Sequence, residues 1–408
     1  MKDPDVLIIR YGEMALKSEG VRRNYENILL HNIRSRLKYD GIRYSNIRKE
    51  TGRIFIYTDD SAAIESISKV FGVVSVSSAF TCDSKIEEIQ KLAGEIGKNH
   101  IKPGESFAIR ARRSGNHQFT STDVAKLSGD SVWTELKKLN ISPKVDLKNP
   151  DREIFIEVRQ KISYIYTESL KGPGGFPSGT QGKMVSLFSS GIDSPVASWL
   201  MMKRGVVLIL IYIDTYPFTA AESFDKVLEN AKQIFSYDPG RKHTLIRVFH
   251  EKYMKEIIEN ATPKNRCILC KRSMYKIADI IRKKYGASGI ISGSSLGQVA
   301  SQTAKNMEAE TYNLSIPLYH PLIAFDKQEI IDIAQKIGTY EISIRPTGSL
   351  DCLMVPEKPQ VSAEFDLAEI EESAFDESLI DEILEEEVNA AEIYTFNSEN
   401  LEVKLEKK

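Results

Sequence analysis

The chain has 408 residues, enough for two to four domains with separate cores. Apolar residues make up an ordinary 41 %, and no apolar run is long enough to span a bilayer, which argues against an integral membrane protein. The formal charge of −2 conceals an asymmetry: Pro359–Lys408 carries 16 acidic and 3 basic residues, which leaves Met1–Lys358 at +11. A basic body suits a polyanionic partner, because each cation near a phosphate releases a condensed counterion. A solvated mixed-charge surface is the competing reading. The acidic stretch reads as a solubilising or docking helix. The opening MKDPDVLIIRYGEM lacks the pattern of a secretory leader, so the cytoplasm is the expected location.

Residues 1–63 read as strand, helix, strand, helix: VLIIRYGE, NYENILLHNIRSRLK, RIFIYT and SAAIESISKV form a small α+β unit. Residues 64–169 continue in the order βαβαββ. Within them VVSVSSAFTC is β-like, which makes Cys82 a small core hydrophobe. SFAIRARRS alternates apolar and basic residues, so a half-buried strand sends Arg110 and Arg112 to one face. DVAKLSGDSVWTELKKL has a helical apolar stripe, and EIFIEVRQ with ISYIYTES reads as a hairpin. The Gly/Pro-rich KGPGGFPSGTQGK cannot hold a regular element and marks a linker over 170–183. Beyond it MVSLF, VVLILIYID, TLIRVF and SGIIS are short apolar strands separated by helical stretches, the pattern of a parallel sheet covered on both faces.

Two features carry chemistry. MVSLF runs into Ser189-Ser190-Gly191-Ile192-Asp193-Ser194-Pro195, where Ser194 reads as an N-cap and Pro195 as the first helical residue. A turn of small residues at a helix N-terminus presents backbone N–H groups and the positive dipole end to an anion. As bare chemistry it is also an ordinary strand–helix junction. The second feature is Cys267-Ile-Leu-Cys270, beside Lys271, Arg272 and a helix start, a setting that should favour thiolates. In a reducing compartment these two and Cys352 read as metal ligands or catalytic thiols. A redox pair, a zinc site and a structural pair all remain open.

The turn resembles the PP-loop of ATP pyrophosphatases, Ser-Gly-Gly-x-Asp-Ser, with Ser190 in place of the first glycine. If Ser190 had to adopt a positive φ, it would carry a steric cost. More widely, IIRYGEMALKSEGVRRNYENIL, RARRSGNHQFTSTDVA, VDLKNPD, YTESLKGPGGFPSGTQGK and SGSSLGQVASQTAKNM resemble the tRNA 4-thiouridine synthetase (tRNA sulfurtransferase) family. The likeness runs from Arg10 to about Lys358. Asp366–Tyr394 is similar to the short extension of archaeal-type members without a rhodanese domain.

The resemblance implies an α/β chain with five parts. These are an N-terminal ferredoxin-like domain (1–63), a THUMP RNA-binding domain (64–169), the linker (170–183), a PP-loop ATP pyrophosphatase domain with a parallel Rossmann-like sheet (184–358), and the acidic extension (359–408). It further implies a cytoplasmic enzyme that adenylates uridine eight of tRNA and displaces AMP with sulfur, using ATP and Mg²⁺. ATP would meet Leu187, Phe188, Ser189, Gly191, Ser194, Tyr212, Ile213, Lys271, Gly293 and Gln302. Asp193 would position Mg²⁺ or a phosphate-bound water, and Lys327 would neutralise developing phosphate charge. Ser294 stands where the family commonly has Glu. Arg110, Arg112, Arg113, Asn116, His117 and Phe119 would contact RNA. The family uses the position of Cys352 in sulfur transfer, and members with this C-x-x-C hold a 4Fe–4S cluster on three thiolates, here Cys267, Cys270 and Cys352. With no rhodanese cysteine, the sulfur donor would be sulfide or a persulfide-carrying protein. Members often form homodimers. Two other readings are a catalytically weakened tRNA-binding protein, suggested by Ser190 and Ser294, and an ATP-dependent ligase using a non-sulfur nucleophile.

Overall fold

The structure, a computed structural model, describes residues 4–50, 52–219, 223–346, 352–373 and 377–407. It divides into two compact units, residues 1–22 with 40–174, and residues 23–39 with 175–408.

In the first unit β1 (Val6–Tyr11) leads into α1 (Glu19–Tyr39), most of which belongs to the second unit. Then follow β2 (Asn46–Glu50), β3 (Arg53–Tyr57), α2 (Ala63–Ile67), β4 (Val73–Asp83), α3 (Ile86–His100), β5 (Ser106–Arg113) and α4 (Ser121–Lys138). β6 (Lys144–Val145), β7 (Arg152–Val158), β8 (Ile162–Tyr166) and β9 (Leu170–Lys171) complete it. Their sheet runs β2-β3-β1-β4-β8-β7-β5-β6, with β9 beside β4. The long strand β4 pairs with β1 through Val73–Ala79 and with β8 through Phe80–Asp83, so one strand joins two halves. The division expected after residue 63 falls inside α2. The apolar stripes of α3 and α4 (Ile89, Ala93, Ile96, Val124, Val132, Leu136) close over Ile109, Ile154, Ile156 and Ile165. Cys82 packs against this core, and burial pushes its thiol up to about 12.

In the second unit come β10 (Lys183–Leu187), α5 (Asp193–Lys203), β11 (Val207–Asp214), α6 (Ser223–Phe235), β12 (His243–Phe249), α7 (Glu251–Asn260) and α8 (Arg266–Lys284). β13 (Ile290–Ile291), α9 (Ala304–Thr311), β14 (Leu318–Tyr319), α10 (Lys327–Ile337) and α11 (Tyr340–Ser343) follow. The chain closes with α12 (Leu367–Ser373), α13 (Glu377–Asn389), β15 (Glu392–Phe396) and β16 (Val403–Lys407). The order β14-β13-β10-β11-β12-β15-β16 is parallel as far as β12 and antiparallel for the last two strands. β11 is buried along nearly its whole length, as its unbroken apolar sequence requires. The Gly/Pro-rich stretch is held firmly. Phe176 is buried, Ser178 Oγ donates to Asp238 at 2.7 Å, and Asn32 of α1 donates to Ser178 O at 3.1 Å. Gly175 has φ +73°, and a Cβ there would meet the Lys203 carbonyl at 1.9 Å, so only glycine fits.

The acidic extension is not a solvated tail. Ala368, Ile380, Ile383, Leu384, Val388 and Ala391 enter the main core, and the β15–β16 hairpin extends the sheet. One of its carboxylates meets a basic helix: Glu372 pairs with Arg272 at 2.9 Å and Lys276 at 2.8 Å. Among the described residues no helix is long and apolar enough to cross a membrane.

Candidate nucleotide and sulfur site

The C-terminal ends of β10, β11 and β13 open onto a cavity of about 220 Å³, the usual ligand position in an open parallel sheet. Leu187, Phe188, Ser189, Asp193, Ser194, Tyr212, Ile213, Lys271, Gly293 and Gln302 line it, together with Ile211, Met274, Tyr275, Ser292 and Ser294. Of the residues expected at the nucleotide, only Gly191 lies outside the lining, and it belongs to the same turn.

The turn is built differently from the expectation. α5 starts at Asp193 with Ile192 as its uncapped N-cap. Ser194 therefore lies in the first turn, and its hydroxyl accepts from the Ser189 N–H at 2.8 Å, tying the loop together. Pro195, also in the first turn, costs no intrahelical bond there. Ser190 is not among the described residues with positive φ, so the feared strain is absent. Gly293 sits tightly, since a Cβ there would come to 3.0 Å from Ser194 N and Cα.

Asp193 stands at the helix N-terminus and is gripped from two sides. Lys327 Nζ donates to its Oδ1 at 2.7 Å and Gln298 Nε2 to its Oδ2 at 3.1 Å. Lys327 is placed by the start of α10, where Asp326 and Glu329 form a capping box. On the opposite wall Lys271 Nζ donates to Ser294 Oγ at 3.0 Å, which gives Ser294 a role of its own.

Cys267 and Cys270 lie in the first turns of α8, and Cys270 and Cys352 pack against the same apolar core. The thiolate expectation is corrected. Burial pushes Cys270 far above its ordinary range, Cys352 and Cys267 push it further, and Lys271 does not offset them. Cys267 is raised likewise, by burial and then by Cys352. Arg272 gives no help, because its guanidinium is committed to Glu372 and to backbone carbonyls. Among the described residues no three His, Cys, Asp or Glu side chains form a group able to hold a single metal ion.

Sequence reasoning missed several neighbours. Met274 and Tyr275 follow Lys271 at helical spacing, a signal that was available. Gln298 and Glu310 carried none.

The expected RNA contacts gather at the end of β5 and the turn after it. Arg110 and Arg112 line a cavity in the first unit with Arg10 and Tyr166, though Arg110 is paired with Glu153 at 2.7 Å. Arg113 donates to Gly115 O and the Asn116 N–H to Gln160, which shapes the turn. His117 stacks on Phe119 with centroids 5.1 Å apart.

Comparison with known proteins agrees with this layout. Residues 6–77 match the ThiI ferredoxin-like domain, 83–168 the THUMP domain, and 179–376 the family described as thiamine biosynthesis protein (ThiI). A probable tRNA sulfurtransferase of Methanosarcina mazei is 53% identical over 371 residues, 91% of each chain. The chain belongs to the tRNA sulfurtransferase family. A member from Methanobrevibacter smithii is 43% identical across 90% of this chain and 94% of its own. A solved 4-thiouridine synthetase–RNA complex with bound ATP is 28% identical, with TM-score 0.83, covering 97% of this chain and all of that one.

Proposed function

We infer that this family member converts uridine eight of tRNA into 4-thiouridine with ATP, in the cytoplasm. The observation that carries the reading is the cavity lined by the turn, Asp193, Lys271 and Gly293 at the ends of three parallel strands. The uracil O4 attacks the α-phosphorus of ATP, forming a C4–O–P link and releasing pyrophosphate. Sulfur then adds at C4, and AMP leaves with the former O4. Adenylation is needed because a bare uracil oxygen is a poor leaving group. The α5 N-terminus favours the phosphates, and Asp193, steadied by Lys327 and Gln298, is the residue that would hold Mg²⁺. Lys327 and Lys271 bear on charge developing at phosphorus. RNA contacts are assigned to Arg110, Arg112, Arg113, Asn116, His117 and Phe119.

Cys267, Cys270 and Cys352 would hold a 4Fe–4S cluster. The donor set fits: burial and the neighbouring Cys352 both raise the Cys267 and Cys270 thiols, a conflict that binding to iron would relieve. In a cubane each thiolate binds a different iron, so such ligands need not meet at a single ion. Such a cluster, when bound, supplies a position from which inorganic sulfide is presented as nucleophile. Incubation of the reconstituted protein with tRNA, ATP and sulfide without oxygen should give 4-thiouridine absorbance. Product without ATP, or none from the reconstituted enzyme, would contradict the reading. Cys270→Ser should abolish the product, whereas a ligase using another nucleophile would tolerate the change.

A further inference from the structure

Beside the turn that carries Cys270, three helices meet in a chain of buried polar groups that the nucleotide cavity does not use. Ser273 of α8 has its hydroxyl 2.7 Å from the Cys270 carbonyl and 2.8 Å from His250 Nε2. His250, the N-cap of α7, places Nδ1 2.6 Å from Oε2 of Glu387 on α13. The other carboxylate oxygen accepts from the Tyr253 N–H at 3.3 Å. Ser273 and His250 are completely buried, and Glu387 is 4% exposed.

The hydrogen bonds run in one direction. A carbonyl only accepts, so Ser273 gives its single hydrogen to Cys270 and must accept one from His250 Nε2. A serine bonded to the carbonyl one turn back is common in helices and by itself means little. Here that serine is gripped by an imidazole from a second helix, and the imidazole by a carboxyl from a third. Apolar side chains of similar size would pack about as stably, so what the chain contributes is one fixed geometry.

We propose that Glu387, acting through His250 and Ser273, is a positioning residue for the sulfur step, fixing the turn of α8 that carries Cys270. This rests on reading the three thiols as the sulfur site. Lys271, the next residue and part of the cavity lining, has its own tether to Ser294. Loosening the chain therefore disturbs sulfur delivery and leaves ATP binding alone. The acidic extension thereby serves the sulfur site as well as the core.

The test compares wild type with Ser273→Ala, Glu387→Ala, Glu387→Gln and Val388→Ala, the last a packing control on the same helix. Each reconstituted enzyme is assayed with tRNA, ATP and sulfide without oxygen. Each metal-free protein is alkylated with iodoacetamide, and its cysteine peptides are followed by mass. In Ser273→Ala and Glu387→Ala the KM for sulfide should rise roughly tenfold, with KM for ATP and single-turnover pyrophosphate release unchanged. Cys270 should be alkylated severalfold faster in both, and Cys82 at its wild-type rate. Glu387→Gln should recover most of the loss, because its amide can accept or donate at Nδ1. Should Glu387→Ala fail to fold, Ser273→Ala carries the comparison. Wild-type sulfide kinetics and alkylation in Ser273→Ala would overturn the proposal, as would the same shifts in Val388→Ala. A wild type that makes no 4-thiouridine from sulfide would overturn the sulfur reading itself, and the proposal with it.

Discussion

Gly293 and Lys327 show how single residues shape the cavity proposed for the nucleotide. Gly293→Ala would bring a Cβ to 3.0 Å from the backbone of Ser194, whose side chain closes the turn. We expect a cost of about 1–3 kcal/mol, read as weaker ATP binding by calorimetry. If Lys327 bears on charge that grows during phosphoryl transfer, as proposed, Lys327→Met should instead lower kcat on the order of 100-fold with little change in KM for ATP. His320 gives a pH signature. Burial, and then Lys271, lower its pKa to about 4 from the usual 6.5. Between these values the unfolded chain binds a proton that the folded chain refuses, so this contribution is full above about pH 6.5 and lost as pH falls towards 4. Melting curves of His320→Gln should lack that segment of acid sensitivity, worth at most about 3 kcal/mol and less after solvent screening.

The C-terminal elements are part of the catalytic fold. Arg272 and Glu372 are nearly buried partners, with side chains 5% and 9% exposed. Glu372→Ala should destabilise by about 3–5 kcal/mol, because it strands a guanidinium; replacing both partners with apolar residues should restore much of the loss, as denaturant titration would show. In the sequence this region reads as a solubilising or docking helix because its 16 acidic residues far outnumber its 3 basic ones. The apolar positions Ile380, Ile383, Leu384 and Val388 carried a helical period that pointed inward. β2 escaped notice for a related reason: NIRKE is a polar edge strand with little apolar signal. The parallel strands were legible because they are unbroken apolar runs. The cavity lining was legible because most of its residues lie in recognisable motifs. Glu310 was not, since an acid in an ordinary-looking helix shows its burial only after folding.

Across the molecule, charge is divided by function. The basic body fits a polyanion, and in the acidic stretch Glu386 pairs with Lys252 of α7 and Glu372 with Arg272 and Lys276 of α8. Arg112→Ala, which removes one exposed cation at the end of β5, should reduce the salt dependence of tRNA binding by about one unit of log–log slope. The family's chemistry makes a further demand on the whole protein, that the base's own oxygen leave attached to the nucleotide. This is tested most directly with tRNA carrying heavy oxygen at O4 of uridine eight, followed by mass analysis of the AMP formed. The label should appear in the AMP phosphate, one atom per 4-thiouridine. Label released into water, with unlabelled AMP, would contradict the adenylation account.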